Sequence, residues 1–197
     1  MNYKIALIPI VTISLSLTEQ QKIEGYIRLF EDASSAKYFT YGKTNYYEYF
    51  SNEKETINGT EYYVRFRKYG WGKVDTTYYR KGERYYLHFN KKVNQESKLL
   101  PLEPRKGDTW TESDNSWSYE VIAIEQKFKT LKEKYANCIK VHCVQLTGRD
   151  KEKSKEYFLY YSPKYGYFGN TDGEGKVLSY LSDFKLNAKT GDKLGGN

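Results

Sequence analysis

The side chains best suited to nucleophilic chemistry are two cysteines, Cys138 and Cys143, and two histidines, His88 and His142. Cys138 and His142 are four residues apart, so on one strand they share a face but stand about 13 Å apart. A general base must come within about 3 Å of its nucleophile, which excludes this pair as a Cys–His dyad. We therefore predict no catalytic residue among these four side chains.

The same residues do not predict a metal site or a disulfide. On one strand, Cys138 and Cys143 would be about 16 Å apart on opposite faces, whereas a disulfide needs Cα atoms within about 7 Å. We expect two buried free thiols, and alternation places both histidines on the wetter face of their strands. A zinc site would need all four side chains at an unsuitable spacing, so we predict no metal and no cofactor.

Acidic residues leave two further possibilities. Asn170-x-Asp172-x-Glu174-Gly175 is similar to the start of a calcium loop, but Leu181 occupies the position of the bidentate acid, which favours a hairpin loop. Glu112 and Asp114 flank a turn before Trp117. Acid pairs that hydrolyse glycosides are recognised by their separation in space, so a hydrolase with strand-borne acids stays an alternative.

Tyrosine doublets are the most distinctive feature of a chain that contains 22 tyrosines. Consecutive strand residues point to opposite faces, so each doublet places one ring on each face of a sheet. The second face is then either covered by a helix or loop, or available as an aromatic surface for a ligand. Tyrosine filling water-tolerant strand positions is the other interpretation. The doublets are Tyr46-Tyr47, Tyr62-Tyr63, Tyr78-Tyr79, Tyr85-Tyr86 and Tyr160-Tyr161.

The predicted ligand-binding residues are aromatic side chains drawn from these doublets and from two tryptophan-bearing strands. They are Tyr47, Tyr63, Tyr79, Tyr86, Trp110, Trp117 and Tyr161.

Turn signals and alternation predict the elements that position these rings. Asn58-Gly59 is the strongest hairpin signal, and Lys81-Gly82 marks a second turn. The segment from Leu100 to Gly107 contains two prolines, which predicts an extended hinge between two halves of one sheet. The expected strands are Asn45–Phe50, Thr60–Lys68, one at Thr109, Trp117–Lys129, Asn137–Leu146, Glu156–Ser162 and Val177–Phe184, with a loop at Asn170–Gly175.

Length and composition predict one folded β domain. A chain of 197 residues with 39% hydrophobic and 17% aromatic residues has enough buriable surface for a single core. We predict a mainly β fold, a single curved antiparallel sheet or half-barrel, with one short helix near the N-terminus at Lys22–Phe30. The expected division is a signal peptide at 1–17, the β domain at 18–186 and a flexible tail at 187–197.

The N-terminus and the charge pattern bear on location and partners. One cation, Lys4, precedes a short apolar run, as in secretory signal peptides, and the run is shorter than the roughly 20 residues of a membrane span. A buried first strand is the alternative. No cysteine follows, so we expect a periplasmic or extracellular protein without a lipid anchor. The net charge is +7, but cations alternate with acids as in Glu53-Lys54-Glu55 and around Arg65 and Arg67, which predicts solvated faces and no nucleic-acid binding.

Three stretches of the second half carry a family resemblance. They are Pro101-Leu102-x-Pro104-x-Lys106-Gly107-Asp108-Thr109-Trp110, then Phe128-Lys129-Thr130 with Tyr135-Ala136-Asn137-Cys138-Ile139-Lys140-Val141, then Tyr160-Tyr161-Ser162-Pro163-Lys164-Tyr165-Gly166. Together they resemble uncharacterised exported bacterial proteins of the Bacteroidetes type, whose curved antiparallel sheet is similar to that of the LolA/LolB lipoprotein carriers. The chain departs from that pattern at Leu131-Lys132-Glu133-Lys134. The resemblance implies a LolA-like fold and an exported location, but no reaction.

The doublets and the resemblance lead to one main functional hypothesis. It is an exported, non-enzymatic binding protein that holds a lipid or other apolar ligand on the concave face of the sheet. The alternatives are a cell-envelope protein that stacks exposed rings on a glycan, and the hydrolase with strand-borne acids.

Overall fold

The computed structural model describes residues 36–147, 155–163 and 165–185. These residues form twelve strands and no helix, which confirms the expected mainly β fold. The strands are β1 (Ala36–Tyr41), β2 (Thr44–Ile57), β3 (Thr60–Tyr69), β4 (Val74–Lys81), β5 (Tyr85–Asn90), β6 (Gln95–Pro101), β7 (Thr109–Thr111), β8 (Trp117–Lys129), β9 (Lys134–Gln145), β10 (Glu156–Ser162), β11 (Gly166–Asp172) and β12 (Val177–Lys185). The expected signal peptide, N-terminal helix and C-terminal tail lie outside the described residues.

All twelve strands belong to one antiparallel sheet in which sequence neighbours are spatial neighbours. The order is β6-β5-β4-β3-β2-β1-β12-β11-β10-β9-β8-β7, so the first and last strands pair with each other. The two edge strands, β6 and β7, are also consecutive in the chain and approach each other. The sheet is therefore nearly closed and barrel-like, with a seam between β6 and β7.

The proline-containing segment after β6 lies at this seam. The Leu102 N–H donates to the Arg84 carbonyl at 3.0 Å, and the Gly107 N–H donates to the Val121 carbonyl at 2.8 Å. The segment joins the two sheet edges, whereas the two halves of the sheet meet at the β1–β12 pair. The expectation of a hinge between the halves is therefore wrong, because the pairing of β1 with β12 joins the two halves elsewhere.

Turn chemistry fixes the first long hairpin as expected. Asn58 and Gly59 have φ values of 51° and 78°, as the tight turn between β2 and β3 requires. Three strands, β1, β6 and β11, lie where no individual strand was predicted. The loop expected from Asn170 is wrong in its first residues, because Asn170 and Thr171 pair with β12 and the turn begins at Asp172.

Two clusters of buried side chains form most of the core, and the first lies on the inner face of the sheet. The first joins strands on both sides of the seam and contains Phe50, Tyr79, Tyr86, Leu100, Trp110, Val121, Ile139, Val141 and Tyr161. The second contains Phe39, Tyr46, Phe128, Cys138, Tyr160, Phe168 and Leu181. Both include rings from several strands, so aromatic packing rather than aliphatic packing dominates the core.

The far end of the β8–β9 hairpin reaches over the neighbouring strands. Lys132 Nζ donates to the Ser182 carbonyl on β12 at 2.7 Å, although β10 and β11 lie between β9 and β12 in the sheet. Phe128, near this tip, stacks on Tyr160 of β10 with ring centroids 4.1 Å apart. The hairpin tip therefore covers part of β10 and β11.

Candidate functional site

The tyrosine doublets all lie in strands, and Tyr46-Tyr47 shows how two consecutive rings are divided between the faces. Glu48 on β2 is the cross-strand neighbour of Lys37 on β1 and of Arg67 on β3, so these three side chains share one face. Tyr46, two residues before Glu48, points to the same face. Tyr47 points the other way and pairs with Tyr38. The prediction that consecutive tyrosines occupy opposite faces is therefore correct for this pair of strands.

The structure brings most of the predicted ligand-binding rings together. Tyr79, Tyr86, Trp110 and Tyr161 belong to the first inner cluster, and Tyr63 packs against it. Trp117 is in phase with Tyr119 and Val121 on the same face of β8. Tyr47 is separate from the others because it lies on the outer face of β2.

The outer face has two aromatic regions of its own. Tyr62, Val64, Tyr78 and Phe89 form a buried cluster there, with Ile57 and Phe66 packed against it. A row of half-buried rings continues beside it: Tyr38 to Tyr47 is 5.9 Å between centroids, Tyr47 to Tyr49 is 5.7 Å, and Tyr49 to Phe66 is 5.3 Å. No helix of the described residues covers this face.

Charged side chains that were expected on solvated faces lie inside the sheet. Arg65 and Arg67 both contact the buried Glu48: Arg65 Nη1 lies 3.2 Å and Arg67 Nη2 lies 2.5 Å from Glu48 Oε1. Buried Lys37 is the cross-strand neighbour of Glu48 and donates to the Tyr165 carbonyl. We call Lys37, Glu48, Arg65 and Arg67 the interior charge cluster. A pattern in the sequence identifies it: Glu48 alternates with Tyr46 and Phe50, and Arg65 alternates with Tyr63 and Arg67.

Electrostatics within the interior charge cluster hold Glu48 ionised. Burial raises the pKa of Glu48, but Arg65, Arg67 and Lys37 together outweigh it and bring that pKa to about 2. Burial lowers the pKa of Lys37 to about 8, despite the opposing effect of Glu48. Each guanidinium also lies over a tyrosine ring, Arg65 over Tyr79 at 4.9 Å and Arg67 over Tyr46 at 4.7 Å.

Open space lies next to this cluster. Protein surrounds Arg67 on most sides, yet 26% of its side-chain surface is accessible to a water molecule. Tyr167 packs against both core clusters and also has protein on most sides, yet its side chain is only half-buried from solvent. The interior of an eight-stranded barrel is just filled by its own side chains. The interior of a nearly closed twelve-stranded sheet is wider, so it has space for a ligand beside the core side chains.

His88 faces the interior, which corrects the expectation that it lies on a wetter face. It pairs with Tyr79 of β4 and with Ser97 of β6, both buried. The alternating apolar residues that suggested the opposite, Leu87 and Phe89, point outward, and Phe89 belongs to the outer cluster. Burial lowers the pKa of His88, with Glu112 opposing the shift, so the imidazole is neutral near pH 7.

The two acids considered for hydrolysis lie at the seam and are engaged by neutral donors. Tyr119 Oη donates to Glu112 Oε1 at 2.6 Å, and Asn90 Nδ2 donates to Asp114 Oδ2 at 3.0 Å. The Ser116 hydroxyl contacts both carboxylates. These bonds give Glu112 and Asp114 a role in ordering the turn before β8.

The thiols and the second histidine behave as the sequence indicates. Cys138 and Cys143 are free and buried. Burial raises the pKa of Cys138 to about 11 and that of Cys143 to about 12, so both are protonated thiols at neutral pH. His142 lies on the outer face, with its Nε2 atom 3.4 Å from Glu156 Oε2.

Two cavities open at the rim of the seam side. A cavity of about 480 Å³ is bordered by Arg84, Tyr85, Leu102 and Asp108, among others, and a smaller one of about 280 Å³ by residues of β7, β8 and β9. Tyr85 and Leu102 also pack against the first inner cluster, so the larger cavity adjoins the interior.

The described part of the chain contains neither a metal-binding cluster nor a membrane-spanning helix. No group of three His, Cys, Asp or Glu side chains there is placed to hold a metal ion. Within residues 36–147, 155–163 and 165–185 no helix has the length and apolar character to cross a membrane.

Comparison with known proteins leaves the function to be argued from this geometry. The resemblance to LolA-like exported proteins accordingly stays a prediction. No protein-family model, no curated protein and no solved structure matches the chain.

Proposed function

We propose that the chain is an exported, non-enzymatic binding protein that holds an apolar, lipid-like ligand on the concave side of its sheet. The observation that carries this proposal is the inner wall of tyrosine and tryptophan rings, together with the partly accessible Arg67 on the same face. Ligand sites are concave, mostly apolar, and contain a few polar groups that orient the ligand. Aromatic rings from β4, β5, β7 and β10 meet on this surface, together with the enclosed Arg67.

Chemistry of the interior supports binding rather than covalent catalysis. The thiols are protonated and buried, and the acids at the seam are already engaged by Tyr119, Ser116 and Asn90. The tyrosine hydroxyls of the interior have raised pKa values because they are buried, as for Tyr167 and Tyr79, so they stay neutral donors. Such groups orient a ligand without reacting with it.

Binding of a neutral fluorescent probe tests this proposal. Protein purified without detergent is titrated with N-phenyl-1-naphthylamine, whose emission rises in apolar surroundings, and with dodecanol as a competitor. Leu159 on β10 pairs with Val141 on the inner face, so Leu159→Trp fills the interior and should weaken probe binding about tenfold or more. Leu178→Trp on β12, next to Ser179 and outward-facing by alternation, is the matched control and should bind the probe normally. Equal binding by both variants would contradict the proposal.

A second candidate is glycan recognition, which the outer row of rings supports. This row contains four half-buried rings on three strands, Tyr38, Tyr47, Tyr49 and Phe66. Successive rings are inclined to each other by 25°, 19° and 33°. Aromatic faces of this kind pack on the apolar faces of sugars. A glycan array probed with the native protein and with Tyr47→Ala would support this function only if a signal disappears in the variant.

A further inference from the structure

Three nitrogen atoms on the inner face are enclosed by protein and have no hydrogen-bond partner within the described residues. They are Arg65 Nε, His88 Nε2 and Trp110 Nε1. Buried polar atoms in folded proteins almost always have a partner, because an unpaired donor in the interior is costly. Three such atoms on one face therefore indicate a group that the protein chain itself does not supply.

These atoms belong to one continuous stretch of inner surface. Arg65 lies over the Tyr79 ring, with 4.9 Å from its Cζ atom to the ring centroid, and the Tyr79 and His88 ring centroids are 6.4 Å apart. Across the seam, Trp110 stacks on Tyr119 with 5.3 Å between centroids. Tyr79 and Trp110 belong to the same inner cluster, and the ring centroids of Tyr85 and Trp110 are 6.4 Å apart, so the surface extends from β3 through β4 and β5 to β7 and β8.

The chemistry of these atoms selects the missing group. Arginine and tryptophan nitrogens only donate hydrogen bonds, and a neutral imidazole also supplies one N–H. Arg65 is always charged, and the carboxylate it contacts, Glu48, is shared with Arg67. Near His88 the Glu112 carboxylate already accepts from Tyr119. The group that fits is a hydrogen-bond acceptor with a negative charge. Glu48 contacts Nη1 of Arg65, so the Nε–H of this positively charged guanidinium remains available to donate.

We infer that the ligand is a single acyl chain with an anionic head group, which accepts hydrogen bonds from Arg65 while the chain packs on the inner rings. This inference rests on the proposed function, since it names the ligand class of the same interior site. A carboxylate and a phosphate share the required chemistry, and both form charge-assisted bonds with a guanidinium. Trp110 and His88 supply the further donors along the surface.

The test compares three ligands with the same chain. Dodecanoate, dodecyl phosphate and dodecanol each displace N-phenyl-1-naphthylamine from the full-length protein at pH 7.5. A charge-assisted hydrogen bond strengthens binding by about tenfold to a hundredfold, so at least one of the two anions should bind at least about tenfold more tightly than dodecanol. The stronger of the two anions identifies the head group as carboxylate or phosphate.

Variants of Arg65 assign the preference to this residue. Arg65→Met should remove the preference for the anion, so that the anions bind no more tightly than dodecanol, whereas Arg65→Lys keeps the charge without Nε–H and should retain only part of the preference. Lys68→Met removes a cation from the exposed outer face of the same strand and should have no effect. Unchanged circular dichroism shows that each variant is folded, and the wild-type comparison decides the matter if Arg65→Met does not fold.

The outcomes separate the two proposals. If the probe binds but the anions and dodecanol compete equally, the inference about the head group is wrong and the binding function stands. If Arg65→Met weakens all three ligands alike, the inference is also wrong. If neither the probe nor any ligand binds, the proposed function itself is contradicted.

Discussion

Glu48 on β2 and Arg67 on β3 are direct cross-strand neighbours, with 2.5 Å between Glu48 Oε1 and Arg67 Nη2. Arg65, two residues before Arg67 on β3, contacts the same carboxylate oxygen. Removing one partner of a buried ion pair leaves an uncompensated charge, which makes such a pair sensitive to substitution. The interior charge cluster therefore contributes to stability as well as to the proposed site.

Acid should destabilise the protein through Glu48. Its pKa is about 2 in the folded protein, below the ordinary value of 4.5, so its contribution is complete above the unfolded pKa and is lost as pH falls from about 5 to about 2. The loss should amount to about 3 kcal/mol in the free energy of unfolding. Urea unfolding across this pH range measures it, and Glu48→Gln should give a flatter dependence.

A surface acid is the control for this pH dependence. Glu61 makes an exposed ion pair with Lys54 at 3.1 Å, and exposed pairs contribute little. Glu61→Gln should therefore leave the acid dependence almost unchanged. The account of Glu48 would be contradicted if Glu48→Gln and Glu61→Gln lost stability equally between pH 5 and pH 2.

Close packing of the β8–β9 hairpin tip on β11 predicts the effect of a single methyl group. A Cβ atom on Gly169 would lie 2.8 Å from Phe128 Cε1 and 2.8 Å from the Ser179 carbonyl oxygen. Because one of these is a backbone atom, Gly169→Ala should lower the free energy of unfolding by about 1–3 kcal/mol. At Gly173 the nearest atom, Glu156 Cβ, is 3.4 Å away, so Gly173→Ala should change it much less. Chemical denaturation of both variants decides between these expectations.

One buried serine, Ser97, contributes a contact across the seam. Ser97 Oγ on β6 accepts from the Ser113 N–H at 2.9 Å and lies 2.7 Å from the Ser113 hydroxyl oxygen. Ser97→Ala leaves that N–H without its partner and should cost about 1–3 kcal/mol. Amide hydrogen exchange should accelerate in β6 and β7 but not in β1 and β12. Ser118→Ala on β8 is the control, and equal exchange rates at the seam in Ser97→Ala would argue against the role of this contact.

Burial of the thiols predicts slow chemical labelling. The pKa of Cys138 is raised to about 11 and that of Cys143 to about 12 because both are buried, and only the thiolate reacts. Iodoacetamide at pH 8 should label neither cysteine in the folded protein and both in urea, as mass spectrometry would show. Rapid labelling of Cys138 or Cys143 without denaturant would contradict the buried, protonated state.

Alternation in the sequence was enough to predict the strands that carry strong turn signals. The hairpin at Asn58-Gly59 and the strand Glu156–Ser162 occur as predicted, because local turn chemistry and β-branched or aromatic residues act in the same direction. β11 was missed because Gly166, Gly169 and Asn170 have low strand propensity, and only pairing with β10 and β12 makes that segment a strand. β6 ends at Pro101 on a sheet edge, the position where a strand tolerates proline.

The candidate site was only partly predictable for a related reason. The inner positions of Tyr63, Tyr79 and Tyr161 follow from alternation, but the sequence does not say which face of a nearly closed sheet is concave. Charged residues such as Arg65 and Arg67 are usually exposed to solvent, so the sequence predicts them on a solvated face. Their burial follows only from the pairing of β2 with β3. His88 was assigned to the wrong face because the outer face has an apolar cluster of its own.

Contact between a ligand and the inner wall is the most direct test of the account. The variant with Trp71→Phe and Trp117→Phe retains only Trp110, a buried side chain of the first inner cluster. A bromine atom quenches tryptophan fluorescence on close contact, so dodecanoate brominated along its chain should abolish most of the Trp110 emission at saturation, while unbrominated dodecanoate should not. Undiminished Trp110 emission with bound brominated ligand would place the ligand elsewhere and contradict the claim that the concave side is the binding site.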